Sequence, residues 1–87
     1  MMISPRQYIE NVEDLSYEEL LKERGRLLWK IRKLENFFKK DINDMSLEEV
    51  SLLFRSPSPE ISYSCYLMYL SELCNLILDK FKDKSND

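Results

Sequence analysis

The chain has 87 residues, 44% of them apolar and 33% charged, with a formal net charge of −3. This length makes one domain that buries somewhat over about 60% of the surface its unfolded form exposes. The composition excludes a disordered chain, and the mild negative charge predicts solubility more than any particular partner. One Gly and three Pro leave too little turn chemistry for tight strand hairpins, so the predicted class is all-α.

The start, MMISPRQYIENVED, lacks an apolar run of signal-peptide length, so no secretion by that route is expected. Ser4-Pro5-Arg6-Gln7 has the spacing of a capping box with Pro at the first helical position, and predicts a short helix over 5–12. Tyr8, Ile9 and Val12 repeat at helical spacing within it.

Ser16-Tyr17-Glu18-Glu19 is a second capping box and opens the longest segment, predicted over 17–40. Wound at about 100° per residue, Leu20, Leu21, Leu27, Leu28, Ile31, Leu34 and Phe38 gather with Tyr17 in one apolar arc. This is the expected core face of the long helix. Arg24 sits inside the arc, where its stem can lie on apolar surface while its head reaches water or a carboxylate. Gly25, the one glycine, costs about 1 kcal/mol relative to Ala in mid-helix. On the opposite face Arg26, Lys30, Lys33 and Lys40 surround Trp29 and Phe37. Exposed aromatics among bases mark a possible partner surface, for another protein or, as an alternative, for nucleic acid.

Asp41 to Met45 forms a short connection. Ser46-Leu47-Glu48-Glu49 is a third capping box and predicts a helix over 47–54. Arg55 to Ser58 is a proline-stiffened turn, and Ser58-Pro59-Glu60 starts a last helix predicted over 59–82. The polar residues 83–87 are expected to fray.

The last helix holds the most apolar run in the chain, SYSCYLMYLSELCNLIL, with Glu72 as its only charge. Winding it leaves a polar arc of about 100° (Ser64, Ser71, Glu72, Asn75, Asp79, Lys82) and an apolar arc of about 220°. A helix on a bundle surface needs an apolar stripe of little more than about 100°, so one neighbour does not cover this one. The polar arc, with Glu72 and Asn75 inside the run, argues against a membrane span. Self-association is the economical cover, through Tyr63, Tyr66, Leu67, Tyr69, Leu70, Leu73, Ile77 and Leu78.

The chain has two cysteines and no histidine. Cys65 and Cys74 are separated by nine positions, about 180° and 13 Å on a helix, and cannot bond to each other. They are expected to be reduced and mostly buried, in a cytoplasmic protein. No metal-ligand spacing, phosphate loop or nucleophile with a base is evident, so no catalytic, cofactor or metal site is expected. Glu48 and Glu49 diverge by about 100° and do not converge on a substrate.

The resulting expectation is a single helical domain over 1–87. It is a bundle of three to four helices whose long second and last members run antiparallel. It forms a homodimer and acts as an adaptor, regulator or inhibitor of a larger protein. A nucleic-acid accessory protein and an antitoxin- or immunity-type regulator of a co-encoded partner are the alternatives.

Overall fold

The computed structural model describes residues 2–55 and 57–85, with the side chains of Lys84 and Ser85 left aside. Four α-helices follow in chain order: α1 Pro5–Val12, α2 Tyr17–Phe38, α3 Leu47–Leu52 and α4 Pro59–Ser85, with a 3-10 turn at Ile42–Asp44 between α2 and α3. The fold is an all-α small bundle in which the two long helices pack against each other.

The serine caps act as their spacing implies. Ser16 and Glu19 form a complete capping box at α2, and Ser46 and Glu49 form another at α3. At α1 only half of the expected box exists: the Ser4 hydroxyl accepts from the Gln7 amide at 3.2 Å, with no return bond from the Gln7 side chain. The Ser58 hydroxyl accepts from the Ile61 amide at 3.4 Å and caps α4.

The helix ends differ from expectation. α2 stops at Phe38 rather than Lys40, because the Asp41 carboxylate accepts from the Asn43 amide and turns the chain into the 3-10 turn. α3 stops at Leu52 rather than Phe54, and residues 53–55 tighten into bonds of three-residue span ahead of Pro57. α4 continues through Ser85, so residues 83–85, expected in the frayed tail, are helical. Residues 86–87 of that tail lie outside the described residues.

α2 and α4 run antiparallel. The edge-on ring contact of Phe38 with Tyr63 (5.6 Å) pins one end of the pair, and the tilted contact of Tyr17 with Phe81 (6.1 Å) pins the other. The core between them is small: Val12, Leu20, Leu27, Ile31, Tyr69 and Leu73 form one buried cluster, with Leu20 and Leu73 fully enclosed.

α1 lies across one side of this pair and is tied down by polar groups. The Tyr8 ring stacks on Tyr69 at 4.6 Å, and the Tyr8 hydroxyl donates to the Glu23 carboxylate at 2.9 Å. The second oxygen of Glu23 takes the Arg26 guanidinium at 2.9 Å. Tyr69 donates its hydroxyl to the Ile3 carbonyl. Lys80 donates to the Glu13 and Leu15 carbonyls, both at 2.7 Å, so its ammonium caps the C-terminus of α1 from the far end of α4.

Two substitutions test this small core. Leu73→Ala should cost about 2–5 kcal/mol, a large share of the stability of so short a domain. Gly25→Ala should instead stabilise by about 0.5–1 kcal/mol, because a Cβ there meets nothing within 4 Å. Urea unfolding followed by helicity measures both; a neutral Leu73→Ala would show that the buried cluster is not the core.

The Tyr8 node sets a pH response. Burial first, and then the bond to the Glu23 carboxylate, raise the Tyr8 phenol well above its ordinary value. The folded state therefore keeps a proton that the unfolded state releases above about pH 10. Stability should be complete below that pH and fall as pH rises beyond it. Tyr8→Phe should make the alkaline decline shallower, read as unfolding midpoint against pH.

Candidate interaction surface

The two sides of the α2–α4 pair are unequal. α1 and α3 both lie on one side: α1 reaches Glu23 of α2, and α3 closes a cleft over Leu34 and Phe37 on the same flank of that helix. Among the described residues no helix covers the other side, which is flanked by the ring contacts of Tyr17 and Phe38. It carries Leu21, Leu67, Leu78 and Phe81, all 40–49% exposed, with exposed Cys74 between them. Along this margin of α4, Tyr63, Leu67, Leu70, Cys74, Ile77 and Phe81 alternate steps of four and three; Tyr63, Leu70, Ile77 and Phe81 already pack on the core or on α2, which leaves Leu67 and Cys74 of this series open. That spacing is the seam pattern by which helices pair.

The expected self-association residues divide. Leu67 and Leu78 are exposed on the bare side, while Tyr63, Tyr66, Leu70 and Ile77 are half-buried. Tyr69 and Leu73 are corrected: they are 4% and 0% exposed, because α1 and α2 close over them, and they belong to the chain's own core. Cys74 is corrected too. It is exposed rather than buried, while Cys65 is half-buried, and both are free thiols.

The basic and aromatic face of α2 also divides. Trp29 is 60% exposed, with the Lys33 ammonium 4.3 Å from its ring centre. Phe37, expected beside it on the surface, is instead buried, while Phe38, expected in the core, is exposed. The helix ends just beyond them. The chain then folds α3 and the start of α4 back over the Phe37 side, leaving Phe38 at the margin against Tyr63. Leu21 is likewise exposed rather than core. Arg26 holds Glu23, and Lys40 holds Glu49 at 2.7 Å. That ion pair and the Ser46 bonds hold the Glu49 carboxyl below its usual range.

Between α2, α3 and the first turns of α4 lies an open cleft of about 400 Å³. Leu34, Phe37, Leu52, Pro57, Pro59 and Tyr66 line it, with Trp29, Lys30, Lys33 and Arg55 around them. Sequence spacing grouped Trp29, Lys30, Lys33 and Phe37 of this cleft but placed Leu34 in the core arc. It could not supply Leu52, Arg55 or the prolines, which arrive through the tertiary path of the chain.

Among the described residues, no group of three or more His, Cys, Asp and Glu side chains is placed to hold a metal ion. α4 is long and apolar enough to cross a membrane by length and composition alone. Its line through Tyr69 and Leu73 is nevertheless buried against α1 and α2. Comparison with known proteins returns no match: no family model, no curated protein and no solved structure is detectably similar.

The two thiols give a direct test of which face is open. Cys74 should react with a thiol reagent at the rate of an accessible cysteine in dilute native protein, and Cys65 more slowly. Mass spectrometry of the Cys65→Ala and Cys74→Ala variants assigns each rate; equal rates would contradict the placement of α4.

Proposed function

We propose that this chain is a protein-interaction module, a small helical adaptor or regulator that works as a homodimer paired through the bare side of α2 and α4. The carrying observation is the surplus of surface. The chain exposes 6541 Å², whereas a compact monomer of 10.5 kDa is expected to expose about 5,400 Å². The difference of about 1,100 Å² exceeds the roughly 800 Å² that each partner contributes to an interface of standard size. The radius of gyration supports the same reading: 15.8 Å against about 12 Å for a compact domain of this length.

Charge along α2 favours an antiparallel pairing. On the flank of α2 that carries Leu21, the first turn places Glu18, whereas Arg32 and, just past the helix end, Lys39 stand at the far end, with Glu35 as the one acid between them. Reversing one copy on the other sets the acidic end of α2 beside the basic end of its mate. The free thiols fit a reducing, cytoplasmic setting. The nucleic-acid reading is weaker, since Phe37 is buried and Arg26 and Lys40 already hold carboxylates.

At high micromolar concentration, light scattering should return twice the 10.5 kDa chain mass. Leu67→Glu combined with Leu78→Glu should return the chain mass with helicity unchanged, because neither side chain is in the core. A wild-type monomer overturns the homodimer. Co-sedimentation of wild-type protein with lipid vesicles, abolished by the same pair of changes, would overturn it in favour of a membrane surface.

A further inference from the structure

The cleft beside Trp29 is on the covered side of the hairpin, away from the surface assigned to pairing, and it differs in chemistry. Its walls are apolar and its rim is basic. Among the described residues Lys30, Lys33 and Arg55 have no carboxylate within ion-pair distance, while Glu49, the one acid on the lining, is neutralised by Lys40 at 2.7 Å. In a chain of net charge −3, this local excess of cations comes from placement and not from composition.

We propose that the cleft is the docking site for an acidic, apolar peptide segment of a partner protein. Charge complementarity selects the acid. Carboxylates on the segment would meet three ammonium or guanidinium groups that the chain itself leaves without anions. The apolar character follows from the walls: Leu34, Phe37 and Leu52 are joined there by proline rings, and about 400 Å³ is at the small end of ligand sites, room for a few large side chains.

A protein partner, and not a nucleic acid, fits the rest. Trp, Tyr and Arg are the residue types that dominate binding energy at protein interfaces, and Trp29, Tyr66 and Arg55 all line this one cleft. A single strand needs a continuous cationic track and free aromatic faces on which bases stack. Here the Lys33 ammonium sits over the Trp29 ring and the Lys30 ammonium lies 5.6 Å from the Tyr66 ring centre. Occupation of the cleft would bring Trp29 out of water, so the site carries its own reporter.

The test is titration of the full chain with the synthetic peptide EFLEEFLEEL at low salt, following Trp29 emission. Emission should shift to shorter wavelength and saturate. The version with Gln at every Glu should bind about tenfold more weakly, the effect of two or three exposed charge pairs. Added salt should erase most of that difference. Lys30→Gln with Arg55→Gln should reproduce the tenfold loss with helicity intact, since both side chains are exposed. The proposal is overturned by equal binding of the Gln peptide, by equal binding of the all-polar peptide EGSEEGSEEG, or by no response to any peptide. Tighter binding of single-stranded DNA than of the peptide also overturns it and gives the cleft to nucleic acid. Light scattering on the same samples separates this site from the pairing surface: a monomer that binds the peptide refutes only the homodimer, and a dimer that does not refutes only the cleft.

Discussion

A mismatch of lengths governs this molecule. α2 and α4 have 22 and 27 residues, while α1 and α3 have 8 and 6. At 1.5 Å per residue the long pair runs to about 33 and 40 Å, and the two covers to about 12 and 9 Å. Two short helices placed end to end cannot cover both sides of such a pair. They occupy one side, and a gap remains between them even there. The bare side of the hairpin and the cleft beside Trp29 both follow from this shortfall.

Because the covers are short, they cannot be held by apolar area alone. α1 contributes Val12 to the core and few other buried groups, so its position depends on directed bonds. Glu23 is the hub, with one oxygen taken by Tyr8 and the other by Arg26. Lys80 reaches back from α4 to the carbonyls at the end of α1. These are charge-assisted bonds, stronger than neutral ones and demanding in geometry. α3 has less: the Lys40–Glu49 pair is exposed, and Leu47 and Phe54 stand almost fully in solvent. An exposed pair contributes little, so α3 is the element of the bundle least fixed by its contacts.

The helices and their starts were legible in the sequence because serine caps act locally: a hydroxyl, an amide three residues on and a glutamate suffice. The width of the apolar arc on α4 was legible for the same reason, since winding a helix needs only its own residues. What failed needed knowledge of neighbours. Phe37 and Phe38 differ by about 100° on the wheel, and periodicity assigned the core to Phe38. The chain reverses just after them and brings α3 back over Phe37, which no spacing within α2 encodes. Tyr69 and Leu73 were assigned to a partner because an arc of about 220° does not say which part α1 will take. Arg55 and the prolines of the cleft were visible only as a stiff turn.

Under the proposed readings, the placement of charge suits the two surfaces to different tasks. On the bare side α4 is apolar and presents Ser64 and Ser71 beside its seam where charges would otherwise stand, so the charges of that side come from α2. Such a flank imposes no electrostatic penalty on meeting its own copy, whereas like charges set opposite each other would. The cleft is the reverse, with apolar walls ringed by cations that two copies of the same rim would find repulsive. A basic rim therefore selects against self-pairing and for an acidic partner, while a neutral seam permits self-pairing. Since α2 separates the two, occupation of one does not block the other. A dimer built on the seam would carry two outward clefts, so a partner with two acidic segments would gain from both at once through effective concentration. The same shortage of covering helices that makes the fold marginal thus leaves both the bare side and the basic-rimmed cleft open, and both proposals rest on that one cause.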